Sequence, residues 1–398
     1  MPGTLKIAGL FAGIGGIELG FHRALGDAVE TQLLCERWGP AQAVLAARFP
    51  GVEQHPDVRE LTTLPAGVDV LAAGFPCTDL SQAGRTEGIT GAQSSLVGHV
   101  FQALRLAKRR RRRLPWLLIE NVPNMLALDR GHAMRYLVDE LEALGFRWAY
   151  RVVDSRSTGV PQRRRRVLLV ASLTEDPRQV LFVDDAGPRA ADYAEDAFGF
   201  YWTEGRGGLG WAQDAVPTLK GGSTIGIPSP PAIWLPDGEP GRKVVTPRVE
   251  DAEELQGFPR GWTAPADHGR LHRGPRWKLV GNAVTIDVAA WVAGRLAGPG
   301  RFALPSTRWQ GSGAWPAAAW GEGGTVWTVP VSEHPVRAPY RHLLDVVDVD
   351  AAPALSYRGT TGFLRRLEQG NLGRYPGFRA DIAEHADLTG PGMDALAM

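Results

Sequence analysis

Over its first 170 residues the chain alternates short apolar, β-like runs with stretches of helical periodicity, and this alternation leaves few architectures open. Strands that recur with a helix between them pack as one sheet covered on both faces, so the pattern predicts a doubly wound, parallel α/β domain. The expected strands are Lys6 to Phe11, Thr31 to Cys35, Val68 to Ala73, Trp116 to Ile119, Trp148 to Val153 and Val167 to Ala171. Helices are expected at Ile17 to Leu25, Ala41 to Arg48, Leu96 to Arg111 and Ala133 to Leu144.

From about Ser172 to Val245 the periodicity fades and Gly, Pro and Trp take over, as in a loop-rich insertion that carries recognition on a rigid scaffold. Helical patterning returns at Val249 to Gln256 and Ile286 to Leu296, and once more at Gly362 to Glu368. The expected divisions are therefore 1–172, 173–245, 246–298 and a C-terminal extension, 299–398. In that extension Trp309, Trp315, Trp320 and Trp327 lie near Arg301 and Arg308, a composition expected to pack a small irregular domain, with base stacking the alternative.

No leader and no apolar run near membrane-spanning length is evident, so the reading is a soluble, cytoplasmic protein without a membrane partner. Two cysteines, Cys35 and Cys77, fit a reducing cytosol, and no Cys/His cluster has the spacing of a zinc site, so no metal is expected. The net charge is +1, yet residues 101 to 170 carry sixteen Lys/Arg against six Asp/Glu. That middle region is suited to face phosphates, although the run Lys108 to Arg113 precedes a strand and reads as a solvated helix end.

The first strand runs through Phe11-Ala12-Gly13-Ile14-Gly15-Gly16 into a helix, where glycines permit a tight turn and close approach of the backbone to a ligand. The second strand ends at Glu36, which can accept both hydroxyls of a ribose. No Walker-type Gly-Lys-Ser/Thr follows, which argues against a triphosphate; an adenosine-containing ligand without a diphosphate fits better, and S-adenosyl-L-methionine is the expected cofactor. At the same sheet edge come Gly74-Phe75-Pro76-Cys77 and Glu120-Asn121-Val122, and Gln162-Arg163-Arg164-Arg165-Arg166 opens a later strand. Read singly, Cys77 fits a small core residue, Glu120 a helix cap and the arginines a solvated turn. Together beside a nucleoside site they predict a thiol, a carboxyl and paired guanidiniums, Arg164 and Arg166, converging on one substrate.

These ordered motifs resemble those of the DNA cytosine-5 methyltransferases through most of residues 5 to 296. The resemblance implies a Rossmann-like methyltransferase sheet with a smaller, loop-rich target recognition domain. It assigns cofactor contacts to Phe11, Ala12, Gly13, Ile14, Gly15, Gly16, Glu36, Asp57, Val58, Pro76 and Asn282, the last within Gly281-Asn282-Ala283-Val284. Leu255-Gln256-Gly257-Phe258-Pro259 matches a further late motif.

The implied reaction is methyl transfer to C5 of a cytosine flipped out of double-stranded DNA. Cys77 adds to C6, Arg164 favours its thiolate, Glu120 shares a proton with ring N3, and Arg166 holds the carbonyl O2. The loop Thr78 to Ser94 resembles the family's mobile catalytic loop, and Thr218-Leu219 its support for the flipped nucleotide. Thr78 stands where Gln is common, and Arg37-Trp38 replaces the usual hydrophobic-Asp pair, leaving adenine stacking to Arg37, to Trp38 or to neither. A restriction-modification setting with a cognate endonuclease, and a monomer, are expected. An RNA (tRNA) substrate, or a catalytically idle DNA-binding shell, are the alternatives.

Overall fold

The structure, a computed structural model, describes residues 3–75, 96–110, 112–189, 192–221, 230–267, 274–311 and 313–390. Along the chain the strands are β1 (Leu5–Leu10), β2 (Val29–Cys35), β3 (Glu53–His55), β4 (Val70–Ala73), β5 (Trp116–Asn121), β6 (Arg147–Asp154), β7 (Gln162–Arg163) and β8 (Arg165–Ser172). They continue with β9 (Phe198–Phe200), β10 (Ala212–Gln213), β11 (Val216–Pro217), β12 (Ala232–Trp234), β13 (Val244–Val245), β14 (Thr307–Arg308), β15 (Ala318–Glu322) and β16 (Thr325–Thr328). The longer helices are α1 (Gly16–Leu25), α2 (Gly39–Arg48), α3 (Leu96–Arg109), α4 (His132–Ala143), α5 (Val249–Leu255), α6 (Gly274–Asn282), α7 (Ile286–Ala297), α8 (Tyr357–Gly370) and α9 (Phe378–Leu388).

The chain divides into two compact units. The larger comprises Met1–Thr158, Arg165–Pro188 and Ala283–Arg337; the smaller comprises Gly159–Arg164, Arg189–Asn282 and Ala338–Met398. These cuts differ from the divisions expected at 172, 245 and 298. The C-terminal extension does not stand alone: its first part is built into the larger unit's sheet and its second part into the smaller unit.

In the larger unit a ten-stranded sheet has the order β14-β16-β15-β6-β8-β5-β4-β1-β2-β3. Neighbours from β5 to β3 run parallel, as their intervening helices require. The sheet is mixed rather than wholly parallel, because β8 runs antiparallel to both β5 and β6. Its cause is the connection from Asp154 to Arg165, which contains no crossover helix and so turns the chain back.

Successive strand residues point to opposite faces, and both faces are apolar. Ala8, Leu10, Leu71 and Ile119 pack with Phe101 of α3 and Leu137 of α4, while Ile7, Val70 and Leu118 pack with Phe21 of α1 and Val292 of α7. Fully buried side chains such as Phe21 and Phe101 contribute about 1.5–3 kcal/mol each relative to exposure. Gly20 lets α1 and α7 approach, since a Cβ there would fall 2.5 Å from the Ala289 Cβ.

The four tail tryptophans are packing residues of this unit. Trp315 is buried with Trp309 against it, Arg135 lies over both rings, and Trp320 stacks on Trp327 beneath Arg178. The stretch Gly274–Ala297 has the length and apolar content of a spanning segment, which the sequence reading did not anticipate. Its backbone breaks into α6 and α7, and 61% of its most apolar window is buried within the protein.

The smaller unit is built differently. Its strands hold two or three residues each, in a four-stranded antiparallel sheet β10-β9-β12-β13 and a separate parallel pair, β11-β7. Phe200, Trp234, Phe363 of α8 and Phe378 of α9 cluster on one side, and Tyr375 stacks on Trp211 with ring centroids 3.7 Å apart. Long side chains replace missing ladder bonds: the Arg242 guanidinium donates to the carbonyls of Val349, Asp350 and Ala352, and Trp234 Nε1 donates to Asp381.

Candidate active site

The carboxyl ends of β1, β2, β4 and β5 lie at one edge of the larger sheet, because these strands run parallel. Where β1 ends, Phe11, Gly13 and Gly15 take positive φ angles of 57°, 57° and 78°, which turn the chain into α1. At Gly15 a Cβ would strike the Phe49 ring at 2.2 Å, whereas at Gly13 it would meet nothing within 4 Å. Gly15 is thus required for packing, and Gly13 leaves open space over the loop. Ala12 N–H donates to the Cys35 carbonyl; Ile14 is buried, and Gly16 begins α1.

Glu36 follows directly on β2. Its Oε2 accepts from the Gly13 amide at 2.9 Å and its Oε1 from the Trp38 amide at 2.8 Å, so the carboxylate is fixed beside the glycine loop. Each oxygen retains a lone pair for a further donor. Asp57 caps the short 3-10 turn Val58–Glu60 and is held by Arg59, with Arg37 Nε at 3.6 Å. The Arg59 guanidinium pulls the Asp57 carboxyl down to about 2. Val58 is buried beside it, and Arg37 is turned to Asp57 with its side chain 72% exposed. Burial, followed by the charges of Glu36 and Asp57, pushes the Cys35 thiol up to about 12, which leaves it inert.

Pro76 and Cys77 lie outside the described residues, as does the loop Thr78 to Ser94. The residues leading to them are placed: Phe75 is buried, its ring meets Phe11 edge-on at 6.2 Å, and its carbonyl accepts from Asn121 Nδ2 at 3.0 Å. Asn121 therefore ties the end of β5 to the residue two before Cys77. That positioning role was missed in the sequence, although Asn121 sits inside a motif that had been singled out.

Glu120, the residue before it, is 8% exposed, and its Oε2 is 3.6 Å from where a Gly74 Cβ would be. Arg166 Nε approaches Glu120 Oε1 to 2.8 Å as a charge contact. The contact lacks hydrogen-bond geometry, so the buried oxygen is answered by the guanidinium's charge rather than by an aligned donor.

The arginine run alternates as a strand should, with Arg163 and Arg165 exposed and Arg164 and Arg166 turned inward. Only Arg166 is brought to Glu120. Arg164, in the smaller unit, is 1% exposed and donates to the carbonyls of Leu219 and Gly281. Gln162 is fully buried and bridges the same region, accepting from Leu219 N–H and donating to the Leu255 carbonyl. Thr218 Oγ1 donates to the Arg163 carbonyl, Leu219 is buried, and Asn282 ends α6 exposed, its Oδ1 3.1 Å from where a Gly221 Cβ would be. What gathers Thr218, Leu219 and Gly281 is thus a pair of buried polar side chains, Gln162 and Arg164.

The comparisons agree with this architecture. The structure of the S. pombe Dnmt2 methyltransferase superposes with a TM-score of 0.53 at 14% identity, covering 73% of this chain and 98% of that one, a likeness of fold. In sequence, the type II methyltransferase M2.BsuMI of Bacillus subtilis (strain 168) is 45% identical over 371 residues, 91% of this chain and 93% of its own length. M.MspI, a type II methyltransferase of Moraxella sp, is 27% identical over 73% of this chain and 70% of its own length. The family described as C-5 cytosine-specific DNA methylase matches residues 5–193. With the ordered strand-end motifs on one sheet edge and a relative this similar over nearly its whole length, the chain belongs to the C-5 cytosine-specific DNA methylases.

Proposed function

We propose that the chain transfers a methyl group from S-adenosyl-L-methionine to C5 of a cytosine in one short double-stranded DNA sequence. The observation that carries this reading is Glu120: a buried carboxyl paired with Arg166 beside the strand end that leads to Cys77.

Cytosine C5 is a weak nucleophile. In the proposed path the Cys77 thiolate forms a bond to C6, the C5–C6 π pair moves to C5, and Glu120 shares its proton with N3 while accepting from the exocyclic amine. Arg166 holds O2 of the ring. S-adenosyl-L-methionine, when bound, supplies an electrophilic methyl group. C5 takes the methyl group, then loses its proton, and the departure of the Cys77 sulfur restores the aromatic ring. The base must first leave the stack, and Thr218 and Leu219 are proposed to support it.

The glycine loop Phe11 to Gly16 and Glu36 fit a ribose: open space lies over Gly13 and the carboxylate is oriented beside it. Asp57, Val58, Pro76 and Asn282 complete the proposed cofactor contacts. Arg164 is proposed to act as a positioning residue, through the segments it holds. The smaller unit would read the target sequence. A restriction-modification setting in a bacterial cytosol, a cognate endonuclease and a monomeric enzyme complete the proposal.

The test is incorporation of a tritiated methyl group into duplex DNA, with bisulfite mapping of the product. Cys77→Ala should incorporate none while binding S-adenosyl-L-methionine as tightly as wild type in calorimetry. Full incorporation by that variant would overturn the mechanism, and labelling of RNA in preference to duplex DNA would overturn the substrate.

A further inference from the structure

In the smaller unit some guanidiniums have carboxylates to answer them, while others, Arg164 and Arg242 among them, donate to backbone carbonyls. Arg248 meets Asp251 and Asp348, Arg260 meets Asp251 and Glu254, Arg276 meets Glu250, Glu253 and Asp267, and Arg341 meets Glu254. One exposed place gathers arginines that have no carboxylate partner among the described residues. Helix α8 buries Thr360, Phe363 and Leu367, which by helical spacing leaves Arg358, Arg365 and Gln369 on its opposite face. Arg358, Arg365 and Gln369 are indeed exposed.

Arg206, on the loop 201–208, is drawn to this face. Its Nε and Nη2 donate to Gln369 Oε1 at 3.0 and 2.6 Å. The docking is tight and needs glycine: a Cβ on Gly370 would fall 2.5 Å from the Gly205 carbonyl oxygen, and Gly205 itself has φ 119°. Arg366 lies alongside, its guanidinium donating to the carbonyls of Trp202 and Glu204. Burial first, and then the Arg206 charge, push Arg366 below the usual arginine range. Among the described residues no carboxylate lies within ion-pair distance of Arg206, Arg358, Arg365 or Arg366, although Glu204 is close in sequence and is taken by Lys220.

The same loop begins at Tyr201, whose hydroxyl donates to the Thr218 carbonyl at 2.7 Å. A row of groups thus runs from Thr218 through Tyr201 to Arg206 and α8. Arg206 and Arg366 are held near one another by neutral acceptors and repel, Arg358 and Arg365 are exposed on the same helix, and side-chain forks of this kind match phosphate oxygens.

We propose that the exposed face of α8, with Arg206 docked on it, is a second DNA-contacting ridge that grips backbone phosphates of the duplex. It rests on the reading of DNA as substrate. It assigns a role to the C-terminal extension, in a segment beyond residues 5–193 that the family description covers. The ridge reads charge and spacing rather than bases, so it strengthens binding to any duplex sequence.

The test is the salt dependence of binding to a short, mixed-sequence, fluorescein-labelled DNA duplex, followed by anisotropy. In a triple variant, Arg206→Gln, Arg358→Gln and Arg365→Gln, the slope of log K against log salt should fall by about 2 to 3, near 0.9 for each phosphate left unneutralised, with affinity down at least ~10-fold at low salt. Arg366 is left in place because it holds the 202–204 backbone. The matching triple lysine variant should recover most of the slope, and calorimetric binding of S-adenosyl-L-methionine should be unchanged in both. An unaltered slope in the glutamine variant, while wild type binds and methylates duplex DNA, overturns the ridge and leaves the proposed function standing. A lowered slope accompanied by a matching loss of melting temperature overturns it too, by assigning the arginines to the fold. Wild type that neither binds nor methylates duplex DNA overturns both readings.

Discussion

The two units place their chemistry by different means. In the larger one, Glu36 and Glu120 are delivered by the ends of parallel strands: two backbone amides fix Glu36, and Arg166 meets Glu120 while Asn121 pins Phe75 nearby. The smaller unit has strands of two or three residues, and there Gln162, Arg164 and Arg242 reach across to backbone groups far along the chain. The contrast teaches that a strand-end carboxyl can be altered without loosening its scaffold, whereas a buried polar side chain in the smaller unit is the scaffold.

The largest expected effect tests the first half of that contrast. Glu120→Gln should lower the methyl-transfer rate about 10²- to 10⁴-fold, the range of a lost acid–base group, with melting temperature and cofactor affinity near wild type. A large drop in melting temperature would show that Glu120 is structural after all. The second half is tested by Arg164→Met, which leaves the carbonyls of Leu219 and Gly281 without their charged donor and should cost about 3 kcal/mol or more in urea denaturation. If Arg164→Met melts like wild type but binds DNA poorly, the guanidinium serves the ligand more than the fold.

Glu18 is where the larger unit breaks its own rule. Fully buried on α1, it leaves Oε2 without a hydrogen bond among the described residues, and its Oε1 occupies the spot a Cβ on Gly9 would need, 1.9 Å away. Burial raises its carboxyl from 4.5 to about 7. Because the folded state holds the proton more tightly, its full contribution to stability is present below about pH 4.5 and is lost as pH rises through 7. Glu18→Gln should therefore match wild type most closely near pH 5 and gain on it by about 3 kcal/mol by pH 8. A constant gap across that range would mean Glu18 is not buried as an acid.

The smallest effect concerns Arg59, which is half-exposed. Arg59→Ala should return the Asp57 carboxyl from about 2 toward its ordinary value, followed by carbonyl NMR, and should leave stability nearly unchanged. No movement of Asp57 would leave Arg37 as its controlling neighbour.

Much of this was legible in the chain. Apolar runs fix β1, β2, β4 and β5 locally, so the residues that end them, Phe11 to Gly16, Glu36, Gly74 and Glu120, could be assigned to one edge before any coordinates. The meander β14 to β16 could not, because Ala319 pairs with Tyr150 and Trp320 with Ala149, partners far apart along the chain with much of the smaller unit between them. Four tryptophans in a Gly/Pro-rich stretch gave no strand period, and their packing depended on Arg135 and Arg178 from distant elements. The arginine run was half readable: alternation correctly turned Arg164 and Arg166 inward, but their partners lie elsewhere in the chain. Arg164 finds carbonyls 55 and 117 residues away, while Arg166 finds Glu120.

The sequence by itself determined the layered α/β class, the order of the strand-end motifs and, through them, the family chemistry, because strands and glycine turns are decided by neighbours along the chain. Tertiary structure alone decided that β8 runs antiparallel, that the tail is divided between two units, and that unanswered arginines collect on α8. Those outcomes depend on which distant groups meet, and on whether a carboxylate happens to be among them.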